Sequence, residues 1–159
     1  MVGGATLLDH MAYRDAFFRE LEASPLELGK DVLHMGSVAD DVIPRLYHAA
    51  DVLAFPSVKE GWGLVALEAM ASGLPVLTSD RPVFREYLES ERNAVLVDPT
   101  SEDDIATGLL RLVDDDALRA TLIGEGMKTA AQYSWDRAAR AHLALYERMV
   151  SDRVAASAL

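Results

Sequence analysis

Short, mostly apolar runs that recur along the chain, each followed by a longer amphipathic stretch, are what most restrict its fold. They occur at residues 32–35, 52–55, 76–78 and 94–97. Gly36, Pro56-Ser57 and Asp98-Pro99 close three of them. Runs this short and this apolar read as strands covered on both faces, and the stretches between them as crossover helices. The pattern is that of α/β units with a parallel sheet.

The helical stretches carry their own boundaries. Asp40-Asp41 offers an N-cap to a helix reaching about Ala49, with Pro44 tolerable in its first turn. Residues 64–72 read as a helix with Gly73 as C-terminal cap and Pro75 beyond it. A short helix is expected over residues 82–88. Ser101 with Asp104 resembles a capping box, followed by Ile105, Leu109 and Leu112 at helical spacing. Further helices are expected over 116–132 and from near Ser134, the last with Leu143, Tyr146 and Val150 on one face as core or domain-contact surface. At the front, Val2-Gly3-Gly4-Ala5 reads as the end of a strand and residues 12–22 as the helix after it. So abrupt a start is expected of a fragment whose first strand is missing. The expected organisation is one domain over residues 1–150 and a frayed tail over 151–159.

Composition narrows the function. At 159 residues and 50% hydrophobic, the chain can build one real core. No apolar run approaches the roughly 20 residues that span a bilayer, and no secretory signal is expected. With no cysteine there is no thiolate chemistry or Cys-ligated metal, and a reducing cytoplasmic setting fits. A net charge of −11 argues against a nucleic-acid partner, because phosphate backbones need clustered Lys and Arg. The histidines at 10, 34, 48 and 142 show no paired spacing with carboxylates, so no metal is expected. Ser57, Ser72 and Ser79 lack a nucleophile-elbow context.

Chemistry concentrates in Glu60-Gly61-Trp62-Gly63-Leu64-Val65-Ala66-Leu67-Glu68, which runs on through Ala69-Met70-Ala71-Ser72-Gly73-Leu74-Pro75. Its helical part is apolar on nearly every side except at Glu68 and Ser72, so a buried helix is expected, with Glu68 needing partners. A core salt bridge or cap interaction would also account for Glu68. Gly61 and Gly63 clear the backbone before the helix, and the free N–H groups of residues 63–65 form an anion site at its positive end. Beyond a strand's carboxyl end, that site lies where ligands of open parallel sheets bind. Glu60 and Glu68 cannot help to neutralise a phosphate there. They suit hydrogen bonds from hydroxyls, a sugar on one side and a ribose on the other. Trp62 could stack on a ligand or on the protein.

The segment from Pro56 to Val76 resembles the E-x7-E signature of family 4 (GT4) retaining glycosyltransferases, enzymes of the two-domain GT-B type. The likeness extends to His34-Met35-Gly36-Ser37-Val38, Tyr47-His48-Ala49-Ala50-Asp51-Val52, Val95-Leu96-Val97-Asp98-Pro99 and Tyr133-Ser134-Trp135. It covers roughly residues 30–150. The resemblance implies a Rossmann-like parallel sheet flanked by helices, the C-terminal half of GT-B, with extra C-terminal helices. It implies metal-independent transfer from a nucleotide-diphosphate sugar, with retention at the anomeric carbon. Glu68 would hold the ribose hydroxyls and Glu60, the catalytic candidate, hydroxyls of the donor sugar. Backbone groups of Gly61, Trp62, Gly63 and Leu64 would line the diphosphate and sugar, Gly36 and Val38 would lie near the base, and Glu86 near the nucleotide pocket.

Two departures from the family pattern stand out. Pro82-Val83 replaces a glycine pair that many members carry. The family's basic Arg/Lys pair belongs to a region before residue 1, and Lys30, Lys59, Arg81 and Arg85 read as surface cations instead. The acceptor, a glycan, lipid or small molecule, would bind an N-terminal domain absent here. The expected location is cytoplasmic, with peripheral association at the inner membrane face left open because many members glycosylate lipids. Two other readings stay open: a non-catalytic nucleotide-sugar-binding or assembly module, and a GT-B sugar-nucleotide epimerase.

Overall fold

The computed structural model describes the backbone of residues 11–157 and the side chains of residues 14–153. Two compact units divide the chain, Met1–Arg45 and Leu46–Leu159. The Val2–Ala5 stretch lies outside the described residues.

In the first unit, helix α1 (Met11–Ala23) ends where the Ser24 hydroxyl donates to Leu21 O at 2.8 Å and accepts from Leu26 N. The strand expected over 32–35 is absent. Leu28 and Val32 form only an isolated bridge, and Leu33 and Met35 are exposed. The reason is local. Lys30, Asp31 and Val32 all donate to Glu27 O, Gly29 N donates to Val32 O, and Asp31 Oδ2 accepts from Glu27 N. The backbone groups of residues 27–32 are thus spent within a turn rather than on a ladder. The ring of His34 meets Phe18 edge-on at 5.6 Å.

In the second unit, α2 (Ile43–Ala49, begun in the first) leads into three parallel strands in the order β1-β2-β3: β1 (Leu53–Phe55), β2 (Val76–Ser79) and β3 (Val95–Val97). Leu53 pairs with Val76 and Leu77 with Val95. Helix α3 (Leu64–Ala71) crosses from β1 to β2, and the short α4 (Pro82–Arg85) lies between β2 and β3. Gly73 caps α3 with φ 74°, as its position after the apolar run implied. Helices α5 (Glu102–Asp114), α6 (Asp116–Ala130) and α7 (Trp135–Ser157) follow.

The sheet is covered on both faces, which is why all four residues of β2 are buried. Val76 joins a cluster with Met70, Phe84, Tyr87 and Leu88, while its neighbour Leu77 joins Val95, Val97, Leu112 and Leu122. Adjacent residues of a strand point to opposite faces, so one short run serves two cores. The polar end of β2 is satisfied: Thr78 Oγ1 donates to Phe55 O at 2.9 Å and Ser79 Oγ to Ser57 O at 2.6 Å.

Ser101 does cap α5, accepting from Asp104 N at 3.2 Å. The reciprocal half of a capping box is missing, because the Asp104 carboxylate accepts from Asp98 N instead. Glu102, Asp103 and Asp104 in the first turn complement the helix dipole. The stripe on α7 is not core within the described residues. Leu143, Tyr146, Met149 and Val150 are each more than half exposed, and the helix runs on to Ser157 rather than fraying at 151. Among the described residues, no helix is long and apolar enough to cross a membrane.

Candidate donor site

The site is built where β1 gives way to α3. Ser57 turns the chain at the strand end, donating its N–H to Phe55 O and its hydroxyl to Lys59 O. The next residues bring Glu60, Gly61, Trp62, Gly63 and Leu64 together in one loop and helix start, with Glu68 just over one turn inside α3. Gly63 is the N-cap residue of α3, at φ 82° and ψ 44°, and makes no side-chain cap bond. Ala66 N donates back to Gly63 O at 3.0 Å, which leaves the amides of Leu64 and Val65 as the open donors of this helix start.

Glu60 folds back on its own loop. Its Oε1 accepts from Gly61 N at 2.8 Å and from Trp62 N at 3.4 Å. The carboxylate thus holds the amides just before the helix, and the anion site narrows to the helix start itself. Gly61 has open space where a side chain would stand. Gly63 has none, and the obstacle is the protein: a Cβ there would lie 2.3 Å from Phe84 Cε1 and 3.0 Å from the Tyr87 hydroxyl.

Glu68 is exposed rather than buried, which corrects the expectation of an all-round buried helix. The inward side of α3 is Ala66, Leu67, Ala69 and Met70. Among the described residues, no salt bridge forms at Glu68. Its Oε2 accepts from the Tyr47 hydroxyl at 3.1 Å.

Trp62 packs on protein. Its ring lies 5.4 Å from Tyr87 at a 31° tilt and 6.0 Å from Tyr133, edge-on. The Tyr87 hydroxyl donates to both Trp62 O and Gly63 O at 3.1 Å, tying the loop to the segment after α4. A cleft of about 800 Å³ opens beside the outward face of α3, lined by Trp62, Leu64, Glu68, Tyr133 and Trp135 among others. Trp135 is 83% exposed.

Sequence reasoning missed Tyr47 and Tyr87 as site residues. Tyr47 stood inside a motif read for its helix-to-strand passage. Tyr87 could have been noticed as a lone aromatic in the charged run from Arg85 to Arg92.

Both phenols are shifted. Burial, then the charge and hydrogen bond of Glu68, push Tyr47 from 10.0 up to about 12. Burial first, then the charge of Glu60 and the presence of Tyr133, raise Tyr87 as well. In the folded protein both stay protonated at pH values where the unfolded chain ionises. Their contribution to stability is therefore complete below about pH 10 and is lost as the pH climbs from there through the folded values. Urea midpoints are expected to fall steeply between about pH 10 and 12, and less steeply in Tyr87→Phe. An identical slope in both proteins would remove Tyr87 from this account.

The cations on the β2 side are committed elsewhere or enclosed. Arg85 grips Asp80 through two bonds at 2.5 and 2.6 Å, and Asp80 is held below the usual carboxylate range chiefly by that contact. In the first unit, Lys30 pairs with Glu27. Arg81 is only partly exposed, and its Nε is the one buried side-chain nitrogen without a hydrogen-bond partner among the described residues. Glu86 forms the C-cap of α4 and is exposed. Gly36 and Val38 belong to the first unit, both half-buried.

A glycine-led helix start at the carboxyl end of a parallel strand, flanked by two acids, agrees with one family profile. Residues 15–129 match the profile of glycosyl transferases group 1. The chain belongs to this family. The D-inositol 3-phosphate glycosyltransferase of Salinispora arenicola is 38% identical over 132 residues, covering 83% of this chain and 29% of that protein. Among solved structures, the sucrose-phosphate synthase of Thermosynechococcus elongatus superposes with a TM-score of 0.82 at 29% identity, over 95% of this chain and 38% of its own. HepE of Anabaena, solved in complex with UDP-glucose, gives a TM-score of 0.74 at 29% identity, over 82% of this chain and 35% of its own. The chain spans about 30% of the length of the curated relatives it matches first. Its parallel sheet, flanking helices and added C-terminal helices are those of the Rossmann-like half of the GT-B fold.

Proposed function

We propose that this chain is the donor-binding part of a retaining hexosyltransferase that takes sugar from a nucleotide-diphosphate donor. The observation that carries the reading is the uncapped start of α3, entered through left-handed Gly63 and flanked by Glu60 and Glu68. Helix-start N–H groups attract a diphosphate without a lysine, and preorganised donors of this kind stabilise a departing diphosphate. The amides of Leu64 and Val65 face the phosphates, with the backbone of Gly61 and Trp62 alongside the sugar. Glu60 contacts sugar hydroxyls as the catalytic candidate, and Glu68 takes the ribose hydroxyls. Gly36 and Val38 serve the base, and Glu86 the edge of the nucleotide pocket. No metal takes part. Because HepE holds UDP-glucose, a UDP-sugar is the first donor to try.

The acceptor, whether glycan, lipid or small molecule, binds a preceding domain that also supplies the basic residues for the leaving group. The isolated chain is accordingly inactive or nearly so. The enzyme works in the cytoplasm, with lipid acceptors placing it at the inner membrane face.

Titration calorimetry with UDP, GDP and ADP tests the reading. Binding in the micromolar-to-millimolar range is expected for one of them. Glu68→Ala is expected to weaken it by about ten- to a hundredfold, the worth of hydrogen bonds to a charged group. Well-folded protein that binds none of the three nucleotides would overturn the proposal.

A further inference from the structure

The two acids of the E-x7-E motif are held in different ways. Glu60 is fixed by the amides of its own loop. Glu68 stands on an exposed helix surface, where a glutamate ordinarily samples several rotamers. Its restraint comes from a residue 21 positions earlier, the Tyr47 hydroxyl at 3.1 Å from Oε2. The Tyr47 ring is partly buried and packs against the cluster around Met70 and Phe84. A rigid ring anchored in the core delivers its hydroxyl at little entropic cost, having only two side-chain torsions.

We propose that Tyr47 is a positioning residue for the carboxylate that reads the nucleotide's ribose. Its hydroxyl occupies Oε2 of Glu68 and leaves Oε1 to accept from the vicinal hydroxyls of a ribonucleoside diphosphate. A carboxylate has lone pairs for both tasks at once, and the phenol, neutral across the physiological range, serves as donor throughout. The consequence is selectivity for ribose over sugars that lack those hydroxyls. The inference rests on the donor-binding reading of Glu68.

Calorimetry on the full chain compares the parent, Tyr47→Phe, Glu68→Ala and the double variant. Each is titrated with UDP, GDP and ADP and with their 2′,3′-dideoxy forms. Tyr47→Phe keeps the packed ring, so its thermal midpoint is expected to stay close to the parent's. Its affinity for the ribonucleotide is expected to fall about five- to tenfold, with the dideoxy form unaffected. In the Glu68→Ala background the same substitution is expected to change nothing, because the group it positions is gone. Equal losses for the ribo and dideoxy forms would reduce Tyr47 to a structural role and overturn the inference. So would full ribonucleotide affinity in Tyr47→Phe while Glu68→Ala binds weakly, and that outcome leaves the donor-binding reading intact. If Glu68→Ala itself binds as the parent does, the donor-binding reading fails and the inference with it.

Discussion

Gly63→Ala is expected to destabilise the protein by about 2–5 kcal/mol and to abolish measurable nucleotide binding. Two independent costs add. At φ 82° an L-residue pays about 1–2 kcal/mol for the left-handed backbone. The new methyl group would also stand 2.3 Å from Phe84 Cε1, with Cζ and the Tyr87 hydroxyl at 3.0 Å. Phe84 is fully buried, so its ring cannot swing aside into solvent, and overpacking of this kind costs about 1–3 kcal/mol more. Relief of either strain moves the start of α3, the proposed diphosphate site. Urea unfolding measures the first effect and calorimetry the second. Parent-like stability would mean that the loop has another conformation open to it.

Phe84→Ala is expected to cost about 3–5 kcal/mol, as truncation of fully buried aromatic residues does. Phe84 is among the largest fully buried side chains, with Phe55 and Tyr87 each 6.3 Å from its ring centroid. Its loss opens a cavity directly beneath Gly63. Combining it with Gly63→Ala is therefore expected to be milder than the sum of the two single effects by about 1–2 kcal/mol, since the ring that the methyl group strikes has gone. The left-handed strain and the Tyr87 contact remain, so recovery is partial. Additive single effects would show that steric conflict with Phe84 is not what reserves position 63 for glycine.

Much of the site was legible because its parts are contiguous. Glu60, Gly61, Trp62, Gly63, Leu64 and Glu68 lie within nine positions, and a helix start places such residues together whatever surrounds it. Less legible was what each residue touches. Gly63 looked like clearance for a ligand, but Phe84 and Tyr87 demand it. Glu68 looked buried because its neighbours are apolar, yet α3 turns it outward and presents Ala66 and Met70 to the sheet. Tyr47 and Tyr87 reach the site from 21 and 24 positions away, across intervening elements. No local periodicity encodes such contacts.

The sequence by itself determined the alternation of strands and helices, the glycine cap at Gly73, the serine cap at Ser101 and the acid-flanked helix start. Each is settled by residues within one turn or one strand, through backbone geometry and short-range hydrogen bonds. The turn that takes Val32 out of a ladder is held by short-range hydrogen bonds that the apolar pattern did not reveal. Tertiary structure alone decided that the apolar stripe of α7 lies uncovered among the described residues, and that two tyrosines hold the loop and Glu68 of the candidate site. Burial and pairing belong to whatever packs alongside, and a one-dimensional pattern specifies only the side that can be covered.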